Sequence, residues 1–370
     1  MSGEAGTPPS ARLPRRRQLP PWLAAGGLVA GLAVLAALST TIGPESIPAS
    51  ATLSILVHQL TQGAWPPNAC GGITSAHQCA IWVEIVWGAR VPALLLAILA
   101  GAALGISGAG LQGTFRNPLA DPYLLGLSAG AALGASSVYT FGLYPGQRDV
   151  ALPVIAFLGG LLPGAVVYLA AGNERRSPET LLLTGVALNA FFSAILSTLL
   201  LYNPVVNISV SFWLLGGLSA ASWQHDAILL AVVLVAGSVL ALQGTELNLL
   251  QLGPDVAQSL GSDPRRLVRR VILLATVLSA CTVAFTGIIG FVGLVAPHVV
   301  RRLAGVDYRR VLALSALAGG GFLVLAWDIA QAVIPAVVIP VGIPTSFIGA
   351  LFFLYLLYRR RDARLGGTVG

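Results

Sequence analysis

Residues 82–108 of the chain read WVEIVWGARVPALLLAILAGAALGISG, and this stretch decides the class of fold. Glu84 and Arg90 are its only charged residues, and from Val91 to Gly108 the sequence is apolar or small throughout. A helix needs about 20 such residues to cross the hydrocarbon core of a bilayer. Because lipid offers no partner to free backbone groups, we expect this stretch to be a membrane-spanning helix.

Similar apolar stretches recur from Trp22 to Tyr358, and the composition of the whole chain agrees with them. Of the 370 residues, 56% are apolar and only 9% are charged, with a mean hydropathy of +0.83. A soluble domain carries about 25% charged residues, so we exclude a soluble globular protein. The stretches predict about ten spans, at residues 22–42, 82–108, 124–142, 151–171, 180–202, 227–245, 270–288, 290–304, 311–332 and 340–358.

The distribution of arginine predicts the topology. All 21 basic residues are arginines, and all except Arg90 and Arg148 fall in clusters at the two termini or at alternate ends of the predicted spans. Basic residues concentrate on the cytoplasmic side of membrane proteins. If every group faces the cytoplasm, both termini do as well. We therefore expect an all-α integral membrane protein with a basic tail at 1–21, a ten-helix domain at 22–358 and a second cytoplasmic tail at 359–370.

The cysteines predict one disulfide. Cys70 and Cys79 lie in the polar segment 43–80, which the topology places outside, on the oxidising side of the membrane. A bridge between them is the expected arrangement, and two free thiols are the alternative. Cys281 lies in an apolar span and is expected to be a small packing residue.

Several kinds of chemistry are excluded by missing residues. The chain has no lysine, so it has no GxxxxGK[ST] phosphate-binding loop. It also lacks HExxH and CxxC, and its four histidines are scattered. We therefore predict no catalytic residue, no metal site and no cofactor bound by this chain. Ionisable residues within the spans are sparse, which argues against an ion-driven carrier and for an external energy source.

Two polar segments between spans look organised. In residues 112–122, QGTFRNPLADP, the two prolines forbid a continuous helix, and Asn117 and Asp121 can cap the helical turns after them. An ordinary inter-helix turn is the alternative. In residues 249–264, LLQLGPDVAQSLGSDP, Pro254 can begin a short helix that Gly261 ends, and Asp263 can cap the next helix. From these residues alone, the short helix could dock a partner or lie on lipid.

Two further segments predict irregular backbone within the bundle. They are residues 287–298, GIIGFVGLVAPH, and residues 338–345, VIPVGIPT. Glycine and proline interrupt a membrane helix only where protein or a water-filled path satisfies the backbone.

Six strings along the chain resemble the permease subunits of ABC importers for iron chelates, haem and vitamin B12. The resemblance runs from about residue 80 to residue 360, and RNPLADP and GFVGLVxPH are its most specific motifs. The strings are GAALGISGAGLQGTFRNPLADPYLLGLSAGAALG (101–134), LLLTGVALN (181–189), WLLGGLS (213–219), LNLLQLGPDVAQSLG (247–261), IGFVGLVAPHVVRR (289–302) and IPVGIPTSFIGALFF (339–353).

The resemblance implies a multi-pass protein of the bacterial inner membrane that is not itself an enzyme. Its implied partners are a second copy of the chain, two cytoplasmic ABC ATPase subunits that use ATP and Mg²⁺, a periplasmic substrate-binding protein and the lipid bilayer, with no nucleic acid. The implied cargo is haem, a ferric siderophore or a corrinoid, with haem as our first expectation. The alternatives are an ion-coupled secondary transporter that works without an ATPase and, more weakly, an intramembrane enzyme.

The resemblance also implies roles for particular residues. The short helix becomes the ATPase-coupling element rather than a lipid-bound one. Its residues are Gly253, Pro254, Asp255, Val256, Ala257, Gln258, Ser259, Leu260, Gly261 and Asp263. The implied cytoplasmic gate comprises Asn117, Leu119, Ser177, Pro178 and Glu179.

Arg90 is the expected docking residue for the binding protein. Family members show an Arg-x-Pro-Arg string here, and this chain has Arg90-Val91-Pro92-Ala93, which keeps only the first arginine. An exposed arginine at this position would pair with an acidic partner. The alternative is that its side chain reaches the outer headgroups.

Overall fold

The computed structural model describes residues 19–66, 68–142, 145–171, 178–202, 204–334 and 337–365, and every regular element in these ranges is a helix. Two π-helical segments, Glu84–Arg90 and Val233–Gly237, interrupt longer helices. The α-helices are α1 (Pro21–Ser39), α2 (Ala49–Leu60), α3 (Ala76–Val83), α4 (Val91–Thr114), α5 (Leu127–Thr140), α6 (Pro145–Ala171), α7 (Pro178–Tyr202), α8 (Pro204–Leu214), α9 (Trp223–Val232), α10 (Ser238–Leu242), α11 (Gly244–Gln251), α12 (Pro254–Ser259), α13 (Pro264–Thr286), α14 (Val292–Ala304), α15 (Tyr308–Ala332) and α16 (Gly342–Leu365).

Each of the predicted spans contains a helix. In the described part of the chain, seven helical segments are long and apolar enough to cross a membrane: Pro21–Ser39, Ala76–Thr114, Val150–Ala171, Glu179–Tyr202, Trp223–Leu242, Pro264–Thr286 and Tyr308–Ala332. The other three predicted spans coincide with α5 of 14 residues, α14 of 13 residues and the apolar part of α16, Gly342–Leu356. The predicted all-α membrane fold is confirmed.

The boundaries and tails differ in detail from the prediction. The second spanning segment begins at Ala76 rather than residue 82, and α16 runs to Leu365, past the expected boundary at 358. Most of the expected tails, residues 1–18 and 366–370, lie outside the described residues. The cytoplasmic location of both termini stays a prediction.

Helix α4 lies at the centre of the bundle because its glycines allow other backbones to approach. A Cβ atom on Gly105 would lie 2.1 Å from the carbonyl oxygen of Ser315 in α15, and one on Gly108 would lie 1.9 Å from that of Gly293 in α14. Such backbone contact increases van der Waals packing between helices where lipid removes the hydrophobic driving force. Backbone contact at glycine also joins α5 to α6, where a Cβ on Gly130 would lie 2.2 Å from the Gly159 carbonyl oxygen.

Only part of each predicted irregular segment is non-helical, residues 287–291 and 338–341, and neighbouring groups satisfy the backbone there. Residues 287–291 between α13 and α14 are not helical, and Gly287 has a φ of 67°. The hydroxyl of Tyr123 accepts a hydrogen bond from the Ile289 N–H at 3.2 Å, and the Gly217 N–H donates to the Thr286 carbonyl at 2.8 Å. These partners explain why a break is tolerated inside the bundle.

The two ends of the bundle differ in character. At one end, the Leu19 N–H donates to the Leu303 carbonyl at 3.1 Å, and α11, α12 and the starts of α13 and α15 lie there with most of the arginines in the described ranges. We call this the arginine-rich end. The opposite end carries the Cys70–Cys79 disulfide together with α2, α3 and α8, and we call it the disulfide end.

Candidate functional site

The short helix α12 has the boundaries that its sequence predicts. Gly253 has a φ of 115°, a value that favours glycine, and Pro254 occupies the first helical position. Gly261 has a φ of 83°, and the Ser262 N–H donates to the Ala257 carbonyl at 3.0 Å. These local signals confirm a separate, well-bounded helix between α11 and α13.

Asp263 caps α13 as predicted. Its carboxylate accepts hydrogen bonds from the N–H groups of Arg265 and Arg266, each at 3.1 Å, and Nε of Arg266 lies 2.9 Å from it. The backbone hydrogen bond from Arg266 is the main reason why the pKa of Asp263 is lowered. The cap therefore holds the position at which the chain leaves α12 and enters α13.

One face of α12 is an exposed apolar ridge. Val256 and Leu260 lie one helical turn apart and are 45% and 58% exposed, whereas Ala257 is fully buried. Leu252, in the turn before α12, is 63% exposed beside them. Pro254, Asp255, Gln258 and Ser259 are also exposed. The ridge has no cover within the described part of the chain, so α12 offers a surface suited to a groove on another protein.

The segment that follows α4 turns sharply, as its two prolines predict. Arg116 adopts a left-handed φ of 49°, which is uncommon for a residue other than glycine. Oδ1 of Asn117 accepts a hydrogen bond from the Leu119 N–H at 2.9 Å, and Leu119 is 41% exposed. Asp121 caps the short 3₁₀ turn Pro122–Leu125. We call residues 115–121 the gate segment.

The other predicted gate residues lie at the start of α7. Ser177 lies outside the described residues, Pro178 begins α7, and Glu179 is exposed in its first turn. A Cβ on Gly185 of α7 would lie 2.1 Å from the Leu124 carbonyl oxygen, so α7 packs directly against the turn that follows the gate segment. The gating roles of all five residues stay predictions.

A buried polar cluster beside the gate segment was not predicted. Gln112, which is 1% exposed, donates through Nε2 to the Gly293 carbonyl at 3.1 Å, and Nη2 of Arg301 donates to its Oε1. A cavity of about 500 Å³ lies next to this cluster. The available signal was a glutamine at the end of a glycine-rich span, because a buried amide requires partners.

A larger cavity of about 1110 Å³ opens near the disulfide end. Apolar side chains dominate its walls, and six aromatic rings line it: Tyr139, Phe157, Phe212, Trp213, Phe285 and Trp327. This volume slightly exceeds the range of about 300–1,000 Å³ for small-molecule pockets.

His225 lies in the wall of the large cavity. Its Nδ1 lies 2.8 Å from the Ala220 carbonyl oxygen, and its ring stacks on Phe285 with centroids 4.6 Å apart. A carbonyl accepts only from a protonated nitrogen, so this contact favours the tautomer in which Nε2 carries the lone pair.

Arg90 is not exposed, which corrects the expectation on which its docking role depended. The residue is 7% exposed, Nη1 donates to the Thr40 carbonyl at 3.1 Å, and Nη2 donates to the Glu45 carbonyl. A Cβ on Gly43 would lie 2.7 Å from Nη2, so the loop after α1 wraps around the guanidinium. Nη1 and Nη2 therefore donate within the chain, and the docking role of Arg90 stays a prediction.

The cysteines are arranged as expected. Cys70 and Cys79 form a disulfide with their Cα atoms 5.8 Å apart, next to the buried Ile47 and Ile55 of the disulfide end. Cys281 is buried, as predicted for a packing residue. Among the described residues, no group of three or more His, Cys, Asp or Glu could hold a metal ion.

Comparison with known proteins gives a consistent picture. The profile of the FecCD transport family matches residues 31–359. The chain is 37% identical to the cobalamin import system permease protein BtuC of Halobacterium salinarum, over 93% of this chain and 97% of that protein. It is 38% identical to the hemin transport system permease protein HmuU of Yersinia pestis, over 77% and 85%.

Two further similarities cover nearly the whole chain. The ferric enterobactin transport system permease protein FepD of Escherichia coli is 36% identical, over 91% of this chain and 96% of that protein. A solved structure described as a metal-chelate type ABC transporter in an inward-facing conformation has a TM-score of 0.77 and 30% identity, and it covers 92% of this chain and 100% of its own.

Proposed function

The chain belongs to the FecCD transport family and is a multi-pass permease subunit of an importer for iron chelates, haem, siderophores or vitamin B12, and we propose that haem is its cargo. Sequence identity does not select the cargo, because the cobalamin, hemin and enterobactin permeases are 37%, 38% and 36% identical to it. The large aromatic cavity carries the proposal. A flat, mostly apolar chelate can stack on its rings.

His225 favours haem over a ferric siderophore. A histidine whose Nδ1–H is held by a carbonyl presents Nε2 to a metal. Haem iron readily takes an axial imidazole, whereas the iron of a ferric siderophore is already enclosed by the chelator's oxygens. A single nitrogen in an apolar wall would hold the cargo weakly, as passage requires.

In the proposed complex, this chain neither binds nor hydrolyses ATP. Two ABC ATPase subunits bind ATP and Mg²⁺ at the arginine-rich end, which we assign to the cytoplasm, and they contact the ridge of α12. A binding protein delivers cargo at the disulfide end. The exposed side chains of α7 and α16, which include Phe191 at 60% and Phe347 at 68%, provide the contact with a second copy of the chain.

The proposed mechanism is a movement relayed through α12. ATP binding draws the ATPase subunits together, and the ridge at Val256 and Leu260 follows them. The gate segment around Asn117 and Leu119 then changes position and alternately closes and opens the path for cargo. Catalysis of ATP hydrolysis stays with the partner subunits.

Uptake into proteoliposomes tests this function. The permease, its ATPase and its binding protein are reconstituted with ATP on the ATPase side, and haem, a ferric siderophore and cobalamin are offered separately. We expect ATP-dependent uptake of haem and a loss of at least about tenfold in haem uptake for His225→Ala. ATP-dependent uptake of only one of the others would overturn haem as the cargo.

A paired substitution on α12 tests the ATPase contact. Leu260→Arg should abolish ATPase binding, because a charge replaces an exposed apolar side chain of the ridge. Ser259→Ala is the matched control, since the Ser259 hydroxyl donates only to the Asp255 carbonyl of the same helix, at 2.8 Å. Uptake driven by an ion gradient without ATP would instead indicate a secondary transporter.

A further inference from the structure

Helix α11 contacts the bundle through the buried Leu247 and Leu250 and through a small and polar face beside them. Gly244, Asn248 and Gln251 follow one another at spacings of four and three residues, which places them on the same side of a helix. A Cβ on Gly244 would lie 2.7 Å from Cα of Arg309, so the start of α11 touches the backbone of α15. The other two residues make specific hydrogen bonds from the same face.

Asn248 holds the middle of α11 against the start of α15. Its Nδ2 donates to Oδ1 of Asp307 at 2.7 Å, and its Oδ1 accepts from the Tyr308 N–H at 2.9 Å. Two hydrogen bonds from one amide fix both distance and orientation. Asn248 therefore connects α11 to α15, which packs on α4 through the glycines described above.

Gln251 connects the end of α11 to the start of the gate segment. Its Nε2 donates to the Gly113 carbonyl at 2.8 Å, in the last turn of α4. The same carbonyl accepts the Arg116 N–H at 3.3 Å, at the residue with the left-handed φ of 49°. Gln251 thus holds the carbonyl group on which the gate segment turns.

The cavity of about 500 Å³ lies where these parts meet. Arg116 and Pro118 of the gate segment line one side of it, and Asn248 and Gln251 of α11 line another. The cavity leaves room for the gate segment to shift relative to α11, and the Gln251 amide bridges the two. Gln251 is also two residues before Gly253, where the chain enters α12, so a displacement of α12 acts first on this side chain.

We propose that Gln251 is a positioning residue that transmits movement of α12 to the gate segment through the Gly113 carbonyl. This inference rests on the proposed function, because it requires an ATPase that moves α12. Gln251 is exposed, and its Nε2 also donates to the Leu247 carbonyl of its own helix at 3.2 Å, so its replacement removes hydrogen bonds at the surface rather than part of the core. A residue that only stabilised the fold would leave the response of the gate to nucleotide unchanged.

The test measures that response at Leu119, which is 41% exposed in the gate segment. Leu119→Cys introduces an accessible thiol into a chain whose Cys281 is buried and whose Cys70 and Cys79 are paired. The permease–ATPase complex is labelled with a soluble maleimide without nucleotide and with ATP plus vanadate. ATP hydrolysis and complex assembly are measured on the same samples.

We expect nucleotide to change the labelling rate when Gln251 is present. Gln251→Met keeps the length of the side chain but cannot donate a hydrogen bond. The nucleotide-dependent change in labelling rate should therefore shrink by about fivefold or more, because the loss of one hydrogen bond changes an equilibrium constant by about this factor. Gln251→Lys restores an N–H donor and should recover the change. Gln251→Glu, which has the shape of glutamine without its donor, should behave like Gln251→Met and serves if that variant does not assemble.

Gln243→Met is the matched control, because the Gln243 amide donates at 3.2 Å to Val239, within the same helical segment. It should keep the full nucleotide-dependent change. A full change in assembled Gln251→Met or Gln251→Glu complexes would overturn the inference while ATPase binding still supports the proposed function. If the parent permease binds no ATPase at all, this result contradicts the proposed function, and the inference that rests on it fails as well.

Discussion

Helices α4 and α7 are almost equal in length, 24 and 25 residues, and both are apolar enough to span a bilayer, yet the bundle uses them in opposite ways. In an apolar 18-residue stretch of each spanning segment, 78% of the residues are buried for α4 and 17% for α7. Hydropathy therefore does not distinguish the centre of this protein from its periphery.

The size of the side chains does distinguish them. Gly101, Gly105 and Gly108 let α4 touch the backbones of α14 and α15, whereas α7 has a single glycine, Gly185, at its contact with the turn after the gate segment. Large side chains such as Leu183 and Leu201 are 67% and 76% exposed on α7. Where lipid is as apolar as leucine, small residues mark the protein interior and large residues face lipid or another subunit.

The largest expected effect comes from enlarging a glycine of α4. In Gly105→Leu, even the first added carbon would lie 2.1 Å from the Ser315 carbonyl oxygen, so α4 and α15 must separate. Overpacking of this kind costs about 1–3 kcal/mol or more. We expect the yield of monodisperse protein on size-exclusion chromatography to fall severely, with a lower melting temperature for what remains.

Gly27→Leu provides the control for that prediction. A Cβ at Gly27 in α1 meets nothing within 4 Å, so the same added side chain enters open space. Its melting temperature should stay close to that of the parent. Equal behaviour of the two variants would contradict the view that backbone contact defines the centre of the bundle.

A smaller effect is expected from the exposed face of α7. Phe191 is 60% exposed, and we expect Phe191→Ala to leave the melting temperature nearly unchanged while it weakens self-association about tenfold or more, as an aromatic anchor of an interface would. Analytical ultracentrifugation in detergent measures the monomer–dimer equilibrium. Trp22→Ala, at a site 71% exposed in α1, should not alter that equilibrium. If Phe191→Ala left the monomer–dimer equilibrium unchanged, we would conclude that this face of α7 contacts lipid rather than a second copy of the chain.

The smallest effect concerns the hydrogen bonds that attach α11 to the buried helices. The pKa of Asp307 is lowered from 3.8 to about 2, mainly by the side-chain hydrogen bond from Arg309 and also by that from Asn248. Because the folded state favours the carboxylate, the stabilisation is complete above the ordinary pKa. It is lost as the pH falls from about 4 towards 2.

Thermal melting between pH 7 and pH 3 measures this contribution. The parent protein should lose more stability over that interval than Asp307→Asn, which has no carboxylate to protonate. Identical pH dependence in the two proteins would show that the hydrogen bonds of the Asp307 carboxylate do not stabilise the folded protein.

Local signals accounted for the features that the sequence predicted well. Pro254, Gly261 and Asp263 delimit α12 and begin α13 through preferences of one or two residues, so no distant contact was needed to foresee them. The turn at Asn117 and Asp121 depends on the same kind of short-range hydrogen bond. The apolar composition of each span identified its helix in a similarly local way, because lipid favours apolar side chains and paired backbone groups at every residue of a span.

The hydrogen-bond partners of Arg90 could not be predicted from local signals. Its depth near the end of a span was foreseeable, but the carbonyls of Thr40 and Glu45 that surround it come from a loop far away in the sequence. The same limit applies to Gln251, whose partner Gly113 lies 138 residues away. A single sequence has no signal for such a pair, because neither residue type predicts the other.

The sequence by itself determined that this protein is a bundle of membrane helices, where most of those helices break, and which family it resembles. These properties follow from hydropathy, from the fixed φ of proline, from the freedom of glycine and from short motifs, all of which act over a few residues. The tertiary structure alone decided which apolar helix became the centre, where the cavities opened and which polar side chains connect α11 to the gate segment. Those outcomes depend on the complementary shapes of distant segments, which meet only when the whole bundle has packed.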